Sequence, residues 1–242
     1  NGMFAAVFYC IESGTAWLAR DAAGKKPLYL YESNGFVAFA SELRAFAGLP
    51  LDPDPSRVPF FLHFGYIPAP DTFYRDVSQL RPGERVQLRG GRVVARHRFH
   101  DPLSWSWGSQ PSVDLEEIQD LVDDSVVRRT VSDVPVGTFL SGGVDSSLVA
   151  ASLASAGRGD LPTFTVSFDD PRFNEGPQAA AVAAELGLPH RDIRVRLDQL
   201  PGLVDDYLDC YEQPYADTSG LPTMLLCREV RRHVRVALCG DG

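Results

Sequence analysis

The stretch Phe139-Leu140-Ser141-Gly142-Gly143-Val144-Asp145-Ser146-Ser147 constrains the fold most, because an apolar segment runs into two adjacent glycines and then into a helix-forming run. A strand, a tight loop and a helix in that order make an anion site. Glycines let backbone amides approach a phosphate, and the helix N-terminus adds unpaired N–H groups and a partial positive charge. The hydroxyls of Ser141, Ser146 and Ser147 are further donors. Gly137 and Gly142 have the spacing of a Walker loop, but Gly143 and Val144 stand where Lys and Ser or Thr would be needed, so a Walker ATPase is excluded.

The texture on either side of this motif differs. Up to about His100 the pattern is short strands with turns: Met3 to Tyr9, Trp17 to Arg20, Leu28 to Glu32, Phe36 to Ala40, Arg85 to Leu88 and Val93 to His97. Gly90-Gly91 predicts a tight hairpin between the last pair. Short helices are expected at Glu42 to Ala47 and Ser56 to Phe64. Asp101 to Ser112 has no periodicity and reads as a linker, dividing a domain over 1–104 from one over 112–242.

Beyond it, Asp114 caps a helix with Glu117 three residues later, and Leu115, Ile118, Leu121, Val122 and Val126 form its apolar stripe. Strands at Val136 to Leu140, Thr163 to Phe168, Ile193 to Val195 and Val234 to Cys239 then alternate with helices at Ser146 to Ala156, Ala179 to Leu186, Leu203 to Tyr211 and Thr223 to His233. That alternation predicts α/β architecture, with a parallel sheet whose ligand crevice lies at the carboxyl ends of the strands.

Composition narrows the function classes. A chain of 242 residues with 44% hydrophobic content supplies a real core, and its 18 Pro and 21 Gly are spread out rather than clustered. A net charge of −9 without a Lys/Arg stripe argues against nucleic acid as a partner. The apolar opening Met3 to Ile11 is too short for a membrane span and lacks the basic flank of a signal peptide, so no membrane partner and a cytoplasmic location are expected. Cys10, Cys210, Cys227 and Cys239 form no CxxC pair and the His residues show no ligand spacing, which reads as reduced thiols, with Cys10 a small buried residue of a β segment.

The SGGVDSS loop resembles the pyrophosphate loop of the N-type ATP pyrophosphatases, and Ser132 to Gly137 before it is similar to the asparagine synthetases. The resemblance extends along the chain in order. NGMFA (1–5), RDAAGKKPL (20–28), ASELR (40–44), GYIPAP (65–70) and LRPGE (80–84) are similar to the trailing part of the family's glutaminase domain. Phe173-Asn174-Glu175, ADTSGLPT (216–223) and VALCGDG (236–242) are similar to its synthetase domain.

The resemblance implies a parallel-sheet ATP pyrophosphatase domain, adenine nucleotide α-hydrolase-like. Before it would come the C-terminal part of an α+β N-terminal nucleophile hydrolase domain. It implies ATP and Mg²⁺, held by Leu140, Ser141, Gly142, Gly143, Asp145, Ser146, Val166, Cys239 and Gly240, with Asp145 as metal ligand and Asp145 and Ser141 as catalytic groups. Cys239 stands where the family usually has Ser. Asp217, Thr218, Ser219 and Asp241 are the acceptor candidates; no Arg, which some members use there, occurs from Glu212 to Cys227. The small-molecule partners would be aspartate or a related carboxylate and glutamine-derived ammonia, and a homodimer is the expected assembly.

Both ends read as cuts. The family's Cys nucleophile would precede NGMFA, and an acidic segment would follow GDG, so this chain alone is not expected to hydrolyse glutamine or to turn over. Two alternatives stand beside asparagine synthesis: another amide-forming member, of the β-lactam synthetase or peptide cyclase type, and a noncatalytic nucleotide-binding remnant.

Overall fold

The structure, a computed structural model, describes residues 2–33, 35–101, 114–172, 174–196 and 201–240. All of the expected linker except Asp101 lies outside the described residues. The chain forms two compact units, Asn1–Gly108 with Leu208–Asp217, and Ser109–Tyr207 with Thr218–Gly242.

The first unit holds two antiparallel sheets. One has the order β1-β2-β6-β7, built from β1 (Ala5–Cys10), β2 (Thr15–Arg20), β6 (Glu84–Arg89) and β7 (Arg92–Arg98). The other has the order β4-β3-β5, built from β3 (Tyr29–Ser33), β4 (Phe36–Ala40) and β5 (Val77–Gln79). Leu18, Leu30, Leu80, Val86 and Leu88 form a shared core. The hairpin falls as expected, with Gly90 and Gly91 both at positive φ and Arg89 paired to Arg92. β5 escaped the sequence reading because three residues show no period. The helix expected at Glu42 to Ala47 is a 3-10 turn over Leu43–Phe46, and the next is a 3-10 turn over Pro55–Arg57 followed by α1 (Val58–Phe64). Cys10, expected to be buried, is only partly so because β1 is an edge strand.

The stretches that resemble the family hold this unit together. Arg20 donates to the carbonyls of Lys26, Leu80 and Gly24, at 3.0, 2.6 and 2.6 Å. Asp21, 1% exposed, accepts from the backbone N–H of Phe4, Lys25 and Lys26. Burial alone would raise the Asp21 carboxyl's pKa, but these amide bonds overcome it and hold the group below the usual carboxylate range.

A late segment also packs here. Glu212 accepts from the N–H of Leu43 (2.5 Å) and of Arg44 (3.0 Å) and pairs with Arg44 Nε at 2.6 Å. Gln213 accepts from the N–H of Phe73, and the N–H of Ala216 donates to the carbonyl of Gly65 at 2.7 Å. Gly65 takes φ 78° at the end of α1, and a Cβ there would lie 2.8 Å from the Ala216 oxygen.

The second unit is a four-stranded parallel sheet of order β10-β9-β8-β11, from β8 (Val136–Phe139), β9 (Thr163–Phe168), β10 (His190–Val195) and β11 (Val236–Leu238). This is the expected α/β class. Its helices are α2 (Leu115–Arg128), α3 (Val144–Ser155), α4 (Gly176–Glu185) and α6 (Gly220–Val230), together with the first four residues of α5 (Val204–Cys210), whose last three belong to the first unit. One face of β9 turns Ser167 to Gly176 of α4, while Phe164 on the other face packs with Val230 near the end of α6. Helices therefore cover both faces, as in a doubly wound sheet. Asp114 caps α2 as expected, its carboxylate accepting from Glu116 N–H. The apolar stripe departs from expectation: of its residues only Val126 is buried, and Leu115 is 77% exposed.

Glu212 collects two backbone amides and a guanidinium within the first unit. Glu212→Ala is therefore expected to destabilise that unit by about 1–3 kcal/mol, the cost of leaving such donors unpaired. Urea unfolding checks this; an unchanged midpoint would mean that water replaces the carboxylate freely.

Candidate functional site

Strand order creates the site. From β8 the chain winds outward through α3, β9, α4 and β10, then returns through α5 and α6 to β11 on the other side of β8. The winding reverses at β8, which places a crevice beside its exit loop at the carboxyl end of the sheet. A cleft of about 1000 Å³ opens there, lined among others by Leu140, Ser141, Gly143, Asp145, Ser146, Val166, Cys239 and Gly240. That volume is at the upper end of the range for small-molecule sites, about 300–1,000 Å³.

The loop between β8 and α3 is held from within. Gly142 takes φ +79°, and a Cβ on it would lie 2.6 Å from Gln178 Cγ and 3.0 Å from Ala179 N. Gln178 Nε2 in turn donates to the Gly142 carbonyl at 2.7 Å, tying the start of α4 to the loop. The backbone N–H groups of Ser141 and Gly143 donate to the hydroxyls of Ser146 and Ser141, each at 3.2 Å, and those two hydroxyls lie 2.9 Å apart. Gly143 is the N-cap of α3 and brings no side-chain cap, so the first-turn amides keep their donor capacity. Gly240 closes the other side, since a Cβ there would lie 2.7 Å from Ser146 N.

Most of the expected residues come together here: Leu140, Ser141, Gly143, Asp145, Ser146, Val166, Cys239 and Gly240, with Thr218 and Ser219 farther along the cleft wall. Gly142 contributes loop shape rather than lining. Ser147, also read as a donor, is different: its hydroxyl is buried without a hydrogen-bond partner among the described residues. Asp217 belongs to the first unit, where its carboxylate accepts from Tyr215 Oη at 3.2 Å. Asp241 and Phe173 lie outside the described residues.

Sequence reasoning missed Gln178 and Arg172, both of which line the cleft. Arg172 pairs with Asp170 at 2.6 Å, a contact that holds the Asp170 carboxyl below its ordinary range and raises the guanidinium. Among the described residues the carboxylates lining the cleft are Asp145 and Glu175. Among the described residues no group of three or more His, Cys, Asp or Glu could hold a metal unaided. No helix among the described residues is long and apolar enough to cross a membrane.

Comparison with known proteins agrees with this geometry. The asparagine synthase family model matches residues 117–242, and a glutamine amidotransferase domain model matches residues 1–100. An asparagine synthetase (glutamine-hydrolyzing) of Bacillus subtilis is 31% identical over the whole chain, which covers 38% of that protein. A putative asparagine synthetase of Mycobacterium bovis is 32% identical, with 100% of this chain and 38% of the relative covered. One from Methanocaldococcus jannaschii is 29% identical, with 100% and 48% covered. The chain thus spans 38–48% of the length of these relatives.

The two loop glycines separate shape from chemistry. Gly142→Ala meets α4 and a positive φ, whereas a Cβ at Gly143 meets nothing nearer than Ser141 Oγ at 3.2 Å. The first substitution is expected to lower unfolding free energy by about 1–3 kcal/mol and the second by less than about 1 kcal/mol. Denaturant titration of both variants is the check, and equal losses would contradict the close packing of Gly142 on α4.

Proposed function

The chain belongs to the asparagine synthase family, and from that premise we propose that the natural protein carrying it makes an amide by activating a carboxylate with ATP. The observation that carries the reading is the glycine loop of residues 141–146, which lies at the winding reversal of a parallel sheet and opens onto a cleft with room for a nucleotide and a second small molecule.

A carboxylate resists substitution because its charge is delocalised and its leaving group would be oxide. In the proposed reaction a carboxylate oxygen of the acceptor attacks the α-phosphorus of ATP. A C–O–P linkage forms, the bond to the bridging oxygen breaks, and pyrophosphate leaves. Ammonia then adds to the acyl carbon, loses a proton, and AMP departs with its electron pair, leaving the amide.

This chain's residues would act by position and field rather than by covalent bonds. The first-turn amides of α3 would face the phosphates, joined by the amide of Gly143 once it gives up Ser141 Oγ. Ser141 and Ser146, already bonded to each other, would keep the loop in the shape those amides need. Val166 would border the adenine, with Cys239 and Gly240 alongside the nucleotide. Thr218 and Ser219 would face the acceptor, for which aspartate is the proposed identity, with Asp217 and Asp241 as the remaining acceptor candidates.

Asp145 fits Mg²⁺, a hard cation that takes one or two carboxylates and completes its shell with phosphate oxygens and water. When bound, the ion supplies positive charge where phosphate charges crowd. The match of residues 1–100 to a glutamine amidotransferase domain supports glutamine as the source of the ammonia. A cytoplasmic setting and a homodimer complete the proposal.

The test is pyrophosphate release from Mg-ATP by the full-length natural protein, with ammonium as donor and aspartate present or absent. Aspartate-dependent release with AMP and asparagine as products is the expected result. Release with only another carboxylate would move the acceptor to a sister amide-forming reaction, and no release with any acceptor would refute the enzymatic reading.

A further inference from the structure

We propose that Arg172 is the cationic clamp of the cleft, giving up its ion pair with Asp170 for a phosphate oxygen of the bound nucleotide; this rests on the nucleotide reading above. Among the described residues that line the cleft, Arg172 is the one basic side chain, against the carboxylates of Asp145 and Glu175. A nucleoside triphosphate adds several more negative charges, and Arg, with its planar fork of donors, is the side chain best suited to hold a phosphate bidentately.

The resting pair is built to let go. Nη2 of Arg172 lies 2.6 Å from Asp170 Oδ2 and Nε 3.1 Å from Oδ1, yet the Arg172 side chain is 77% exposed. An ion pair in such contact with water contributes about 1 kcal/mol or less, so a desolvated phosphate outcompetes it. The roots of the loop are fixed while Pro171 and Arg172 are exposed. Phe168, at the end of β9, lines the cleft, and Gln178 in the first turns of α4 holds the carbonyl of Gly142. Arg172 thus lies in the connection from β9 to α4, the helix that holds the glycine loop. That connection favours a phosphate over the acceptor's carboxylate, whose candidate wall is Thr218 and Ser219 at the start of α6.

The experiment measures equilibrium binding of Mg-ATP, and separately the KM for the acceptor, in the full-length protein and three variants. Arg172→Ala should weaken Mg-ATP about tenfold, the loss of roughly one charge-assisted contact, with the acceptor KM unchanged. Arg172→Lys should recover part of the loss, since it keeps the charge but not the fork. Arg194→Ala removes the same charge from a residue paired with Asp169 outside the cleft lining, and should bind Mg-ATP as the parent does. Unchanged Mg-ATP binding by Arg172→Ala, an equal loss in Arg194→Ala, or a raised acceptor KM with intact nucleotide binding would each overturn the clamp. If the parent protein binds Mg-ATP, such a failure leaves the nucleotide reading standing; if it does not, both fall together.

Discussion

The parallel pairing of β8 with β9 on one side and β11 on the other is the constraint from which the rest of the site follows. Because β8 is flanked by strands reached in opposite winding directions, its exit loop has open space beside it. The two glycines then let that loop turn at once into α3, with the helix amides aimed into the opening. Gly240, leaving β11, packs against the backbone at Asp145 and Ser146, so the two strand exits meet at the N-terminus of α3. Thr138, fully buried, donates to the Leu238 carbonyl at 3.2 Å and adds a side-chain tie between β8 and β11.

The first unit shows how a stretch that identifies a family need not be chemical. Within RDAAGKKPL, Arg20 and Asp21 satisfy carbonyls and amides of chain segments that converge there, including Leu80 of LRPGE and Phe4. A buried Arg or Asp without such partners would be costly, so the hydrogen bonds account for the burial of both charges. Glu212 repeats the logic at longer range, with a carboxylate from late in the chain taking up amides from the 3-10 turn at Leu43.

Legibility followed the reach of the physics involved. The loop of residues 140–146 was readable because strand, glycines and helix are adjacent in sequence and each demands its neighbour. The parallel sheet was readable from alternation alone. Gln178 and Arg172 were not, because their roles depend on α4 docking against Gly142, a tertiary event with no local signal. The same holds for the return of Leu208–Asp217 to the first unit, which rests on amides more than a hundred residues away. β5 was too short to show alternation, and the stripe of α2 misled because periodicity marks an apolar face without saying what covers it.

The most direct test of the account is amide hydrogen exchange of the full-length protein with and without Mg-ATP. If the glycine loop and the start of α3 hold the phosphates, peptides spanning residues 140–147 and 238–240 should slow on nucleotide addition, while those of the first-unit sheets exchange as before. Protection that leaves these peptides untouched and appears elsewhere would contradict the claim that the crevice beside β8 is the nucleotide site.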